Sequence, residues 1–282
     1  MSTFSSGSLT LCQSLDEADR LRIRQLASLV RAQETASLLT VLAPRLEPAQ
    51  RAAITRTCSF IHAGLLIFPA ELAAAIAELP GLGVTPGPLV PSVVVRERLA
   101  ARCPPAAGAQ VWITHAEVPG ARGRDLELFL APRSEPALAT IAENERASNQ
   151  ESHFALKGTG SRAEMYQVWE ILAEAGKLLP EGGGYNPHEN PASGGRTVLY
   201  FRSPHHAAIP WPPRMELVLD GHHAQLLTLH QQATDQWNPG SPNRLAARRP
   251  NRPHRPHQPG DGRETSNQPT NRNSHASTQR GA

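Results

Sequence analysis

Apolar and polar positions divide the chain into stretches of different character. Residues 14–56 carry a helical rhythm: Leu15, Ala18, Leu21, Leu26, Leu29 and Val30 keep roughly helical spacing, behind a capping-box pattern at Ser14-Leu15-Asp16-Glu17. A second helical run passes through Leu38, Leu39, Val41 and Leu42 and is interrupted by Pro44 and Pro48. No obvious chemistry falls here, so residues 1–57 read as an N-terminal helical cap on the rest of the body.

Two later segments repeat one pattern. In the first, the strand-like run Ser59–Leu65 precedes a short helix, Ala70–Leu79, that starts after Pro69 and stops at Pro80-Gly81. Strands are predicted next at Pro91–Val95 and Gln110–Val118, and Arg124–Leu130 closes the segment. In the second, Ser152–Leu156 leads to a helix that begins at a capping box, Ser161 with Glu164, and buries Met165, Val168, Trp169 and Leu172, with Gly176 at its C-cap. A glycine-rich turn, Glu181–Pro187, separates it from the strands Thr197–Arg202 and Arg214–Leu219. Both segments read β-α-β-β-β. The predicted fold class is therefore α+β, two βαβββ modules (58–132 and 150–237) forming a curved-sheet cleft.

From Asn238 to Ala282 the pattern fades into Pro, Arg, Asn, Gln, Ser and His with almost no large apolar residue, a composition that cannot offset its ordering entropy. This stretch is predicted to be a disordered basic tail. It holds eight arginines against one aspartate and one glutamate, a charge of +6; the whole chain carries +3, so residues 1–237 sum to −3. A mildly acidic body argues against nucleic acid as a partner. The start, Met1–Ser6, lacks the basic region of a secretory signal, and Pro69, Glu71 and Glu78 break the most apolar run, Ala63–Leu79, so a membrane role is not expected. Three widely spaced cysteines, Cys12, Cys58 and Cys103, exclude a disulfide framework and fit a reducing, cytoplasmic setting.

The candidate chemistry lies in the repeat. His62 and Glu127 stand 65 residues apart, and His153 and Glu216 stand 63 apart, at matched positions in matched element order. Strand alternation puts Arg214, Glu216 and Val218 on one face and Met215, Leu217 and Leu219 on the other; Asp125, Glu127 and Phe129 likewise oppose Leu126, Leu128 and Leu130. His62 shares a face with Gly64, and His153 with Ala155 and Lys157. Each module thus pairs an apolar back with a face carrying His, Glu and small neighbours. Imidazole with carboxylate suits a borderline divalent metal, with Fe(II), Zn, Ni, Co and Mn all candidates. Two His with one carboxylate leave positions open for a chelating substrate and O₂. A fourth ligand favours Lewis-acid chemistry, with one Glu moving protons.

The order of His, helix, glycine turn, Tyr200-Phe201-Arg202-Ser203-Pro204 and then Arg214-Met215-Glu216-Leu217-Val218 resembles a vicinal oxygen chelate module over 150–220 and, more loosely, over 58–132. Members often carry Tyr-Phe-x-Asp-Pro-x-Gly before the metal-binding Glu; here His205-His206 replaces the turn and the loop is longer. The leading helical residues, Ile61-His62-Ala63-Gly64 and the later Leu-Glu-Leu strand are also similar to the 2-oxoadipate dioxygenase/decarboxylase branch, though this body is much shorter. That resemblance implies Fe(II) held by His62, His153 and Glu216, with Glu127 free of the metal. The glyoxalase-like branch implies all four residues as ligands.

The leading expectation is a mononuclear non-haem Fe(II)-dependent oxygenase acting on a small 2-oxo acid, with Arg214 orienting the substrate carboxylate. Arg196 and Arg202 are further candidate clamps. One alternative is a glyoxalase-like lyase or isomerase in which Glu127 or Glu216 shuttles a proton; a second is a non-catalytic small-molecule (drug) binding protein. Among other signals, His115 lies in a strand and can replace a ligand if the register differs. Gly158-Thr159-Gly160-Ser161-Arg162-Ala163 mimics a dinucleotide fingerprint but lacks the rest of that unit, and His188, His205, His206, His222 and His223 read as loop residues.

Overall fold

The computed structural model describes residues 14–106, 108–133, 137–204 and 212–237. They belong to Met1–Arg244, the first of two units of the chain; the second, Leu245–Ala282, lies outside the described residues, as do the tail predicted from Asn238, Cys12 and the pair His205-His206.

Three helices lead: α1 (Glu17–Ala32), α2 (Thr35–Leu42) and α3 (Pro48–Thr57). The capping box predicted at Ser14 does not form. Asp16 is the N-cap of α1 without a side-chain cap bond, its carboxylate held by Arg133 and Arg146, while Ser14 Oγ donates to the Glu71 carbonyl at 2.6 Å. A capping box forms instead at α3, between Glu47 and Gln50. The buried face of α1 carries Ile23, Leu26, Ala27 and Val30, and Leu21 is exposed.

The first half continues as β1 (Cys58–Ile67), α4 (Leu72–Glu78), β2 (Thr85–Pro86), β3 (Val90–Pro91), α5 (Val93–Arg102), β4 (Trp112–Glu117) and β5 (Asp125–Leu130). The strand predicted at Pro91–Val95 is largely a helix. Only Val90 and Pro91 pair with β4, and Val93-Val94-Val95 open α5 despite being β-branched, because Val94, Val95 and Leu99 are buried from that helix against the sheet. Helix α6 (Ala137–Ser148) leads into the second half: β6 (His153–Gly158), α7 (Arg162–Glu170), β7 (Leu179–Asn186), β8 (Arg196–Arg202), β9 (Arg214–Asp220) and α8 (Ala224–Trp237). The Ser161–Glu164 capping box of α7 forms as predicted. Its C-terminal turn continues as a π-helix, Ile171–Ala175, and the left-handed backbone belongs to Lys177 (φ 53°) rather than Gly176. The predicted glycine turn is part of β7. Gly183 fits because a Cβ there would stand 2.2 Å from the Val198 carbonyl oxygen on β8.

The nine strands of the described residues join one curved, unclosed sheet in the order β2-β4-β5-β1-β6-β9-β8-β7, with β3 on β4. In each half the first strand lies parallel to the last (β1 with β5, β6 with β9), and the two halves meet where β1 runs antiparallel to β6. The four strands that carry His62, Glu127, His153 and Glu216 are therefore the central four.

Alternation gives the sheet two faces. Ala63, Leu65, Leu126, Leu128, Phe154, Leu156, Met215 and Leu217 join α1, α2, α4 and α7 in the main core. The opposite face holds the polar residues between two apolar patches: Leu66, Ile113 and Phe129 lie under α5 and α6, and Ala155, Val198, Tyr200 and Val218 lie under Val94. A bulge in β1 between Phe60 and His62 lets Phe60 turn to the core, edge-on to Phe154 at 5.8 Å between ring centres, while His62 faces the cleft. Among the described residues, no helix is long and apolar enough to cross a membrane.

Candidate metal centre

Strand register builds the site as two adjacent rows. One row crosses the sheet as Glu127, Gly64, His153 and Arg214; the next crosses it as Asp125, His62, Ala155 and Glu216. Each histidine thus has a small residue beside it on the neighbouring central strand. At Gly64 the small size is obligatory: a Cβ would lie 2.0 Å from His153 Cε1 and 2.3 Å from its Nε2.

His62, Glu127, His153 and Glu216 are all buried, and one donor atom of each lies within 4.8 Å of the others. Glu216 Oε2 stands 3.2 Å from His62 Nε2 and 3.1 Å from His153 Nε2; Glu127 Oε2 stands 3.5 Å and 3.3 Å from the same atoms. Donors about 2.1 Å from one tetrahedral centre stand roughly 3.4 Å apart, so these spacings match a shared cation. Glu127 Oε2 and His153 Nε2 are buried without a hydrogen bond, a costly arrangement that a bound cation would relieve. His153 Nδ1 lies 3.0 Å from the Glu151 carbonyl, which fixes that nitrogen as the N–H donor and turns the Nε2 lone pair into the cluster. The residues present fit a divalent metal.

Electrostatics favour positive charge at the same point. Burial works against a charged His153, but the Glu216 and Glu127 carboxylates outweigh it and lift the imidazole to about 10. Burial likewise opposes ionisation of Glu216, yet His153 and His62 hold its carboxyl well below the usual range; Glu127 is lowered too, chiefly by His62.

Arg214, the expected clamp, is engaged by acidic side chains of the chain itself. Arg214 is only 1% exposed; its Nε donates to Glu181 at 2.6 Å and its Nη1 to Glu151 at 2.9 Å. Arg98 and Arg102 also bind Glu151, and Arg202 binds Glu181. Arg214 and Arg98 flank the Tyr200 ring, which meets His153 edge-on at 5.5 Å. Arg214 thus supports the wall behind His153, and Arg202 is committed similarly. Arg196 is paired as well: its Nη1 lies 3.3 Å from Glu189 and its buried Nε 4.0 Å from Asp220.

Sequence reasoning missed Glu151 and Glu189. Glu151 lies two residues before His153, and its carboxylate and carbonyl both serve the site. Glu189, in the turn between β7 and β8, has a donor atom within 4.8 Å of donors of Glu127 and His115, and burial followed by the Glu127 and Glu216 charges raises its pKa. His115 does not replace a member of the four-residue group. Its Nδ1 faces Asp125 at 3.3 Å and its Nε2 faces Glu127 Oε1 at 3.6 Å; burial opposes its charge, but these acids lift it to about 9.

No protein-family model matches the chain, and no curated protein matches it. Among solved structures it is similar to methylmalonyl-CoA epimerase from Mycobacterium tuberculosis, at 15% identity over 59% of this chain and 91% of that one, with a TM-score of 0.34.

Proposed function

We propose that this chain is a metal-dependent enzyme of the vicinal oxygen chelate type, performing lyase or isomerase chemistry on a small molecule that offers neighbouring oxygens. One observation carries the reading: four buried donors from the four central strands converge within 4.8 Å of one another, two of them without a hydrogen bond. His62, Glu127, His153 and Glu216 would hold the ion, and this donor set suits Fe(II), Mn, Co, Ni or Zn. When bound, the metal supplies Lewis-acid polarisation of a substrate carbonyl.

The rest falls to the chain's own groups. Glu127 and Glu216 are the carboxylates able to take and return a proton beside the substrate. The Glu151 carbonyl keeps His153 in one tautomer, and the Tyr200 ring packs on its edge. The apolar patches under α5 and α6 keep water from the flank of the site. Arg196, like Arg214, is engaged within the chain, by Glu189 and Asp220, and steadies the turn that carries Glu189.

A specific observation favours a second reading, the Fe(II) oxygenase on a 2-oxo acid. Glu127 makes the longer contacts, 3.3 and 3.5 Å, against 3.1 and 3.2 Å for Glu216, which fits a set of His62, His153 and Glu216 with Glu127 outside it. Glu127→Ala separates the two. Under the four-ligand reading the variant loses its metal; under the oxygenase reading it keeps metal, and Fe(II)-loaded wild type consumes O₂ with 2-oxo acids. A metal-free protein that binds small molecules without turnover contradicts both.

A further inference from the structure

We propose a second cation site beside the first, formed by His115, Glu127 and Glu189 and sharing Glu127 as a bridge. The inference rests on the metal-dependent reading of the four-residue group and extends it to a two-metal centre. His115 comes from β4, Glu127 from β5 and Glu189 from the turn between β7 and β8, and one donor atom of each lies within 4.8 Å of the others. Donors on one ion stand about 3–4 Å apart, so small side-chain shifts complete the set.

The two oxygens of Glu127 face different partners. Oε2 faces His62 and His153, whereas Oε1 faces His115 Nε2 at 3.6 Å. A carboxylate turned to two donor sets in this way is the usual bridge between ions about 3.5–4 Å apart. The second donor set also has an outer shell of its own. Asp125 lies 3.3 Å from His115 Nδ1, so the opposite nitrogen is left facing inward, as in a carboxylate–histidine–metal arrangement. Glu189 is held by Asn186 Nδ2 at 2.5 Å and Arg196 Nη1 at 3.3 Å, which fixes its carboxylate beside Glu127 despite like charge.

One imidazole with two carboxylates selects a borderline ion such as Mn(II), Fe(II) or Zn(II) over Mg(II) or Ca(II). The outer position is the more accessible, since the His115 side chain is 31% exposed against 2% for His62.

The test is saturation of the metal-free full chain with Mn(II), read as bound ions per chain by equilibrium dialysis and as exchange coupling by electron paramagnetic resonance. Wild type is expected to bind two ions with a coupled spectrum. His115→Ala and Glu189→Gln are each expected to bind one uncoupled ion; the glutamine keeps polar contacts for the turn, so it separates loss of the ligand from loss of the fold. One ion in wild type, or two in both variants, overturns the second site and leaves the first intact. No ion in wild type overturns both.

Discussion

Gly64 allows the metal centre to be disabled without touching a ligand. In Gly64→Ala the new methyl group would lie 2.0 Å from Cε1, 2.3 Å from Nε2 and 2.6 Å from Nδ1 of His153. Ordinary carbon contacts need about 3.5–4.0 Å, so the ring must retreat by roughly 1.5 Å. Its room is limited: Nδ1 is tied to the Glu151 carbonyl, the Tyr200 ring stands 5.5 Å away and the Phe129 ring 6.0 Å. Metal–ligand distances tolerate only about ±0.2 Å, so the displaced Nε2 ceases to be a ligand. Loss of an outer-shell partner alone costs about 10–100-fold in affinity, and loss of His153 itself should exceed about 100-fold. Overpacking should cost about 1–3 kcal/mol of stability, leaving a folded chain. The assay is metal affinity by chelator competition, with the far-ultraviolet melting curve of the metal-free protein beside it. Ala155→Gly, at the matching position beside His62, is the control and should bind within a few-fold of wild type. If Gly64→Ala binds metal within threefold of wild type, the placement of His153 is wrong.

Three further predictions rest on charge. Because the neighbouring carboxylates lift His153 to about 10 in the metal-free chain, metal uptake must expel its proton; affinity should rise about tenfold per pH unit near neutrality, and calorimetry in buffers of different ionisation enthalpy should find at least one proton released per ion, zero being the contrary result. Arg214→Ala strips one partner from the buried Glu151 and one from the part-buried Glu181, and a loss of about 3–5 kcal/mol in urea unfolding is expected; an unchanged midpoint would show that Arg98, Arg102 and Arg202 suffice. His230 accepts from Trp169 Nε1 and lies 2.9 and 3.0 Å from the Gly182 and Tyr200 carbonyls; burial holds it neutral and lowers it from 6.5 to about 4. Its unfolded form binds the proton first, so about 3 kcal/mol of stability is present above pH 6.5 and lost as the pH falls through 4. His230→Gln should flatten the acid side of the stability curve, and an unchanged slope would refute the assignment.

The elements that carry the four candidate ligands were legible because period-two alternation and a repeated element order are local properties of the chain. Leu126, Leu128, Met215 and Leu217 mark the buried back of the sheet, which leaves Glu127 and Glu216 on the other side. What escaped was set by tertiary context. Val93-Val94-Val95 has the composition of a strand, yet folds as a helix because its apolar side chains seal one flank of the cleft. Arg214 reads as a free cation because its partners, Glu181 and Glu151, lie 33 and 63 residues away, and no local pattern announces either pairing. Glu189 sits in a turn with no periodicity at all, and only the closure of β7 on β8 brings it to the site.

Anomalous diffraction from a Mn(II)-loaded crystal tests the central claim most directly. The account predicts a peak within about 2.0–2.3 Å of donor atoms from His62, Glu127, His153 and Glu216 together. Absence of a peak among these four side chains, or strong peaks only elsewhere on the surface, would contradict it.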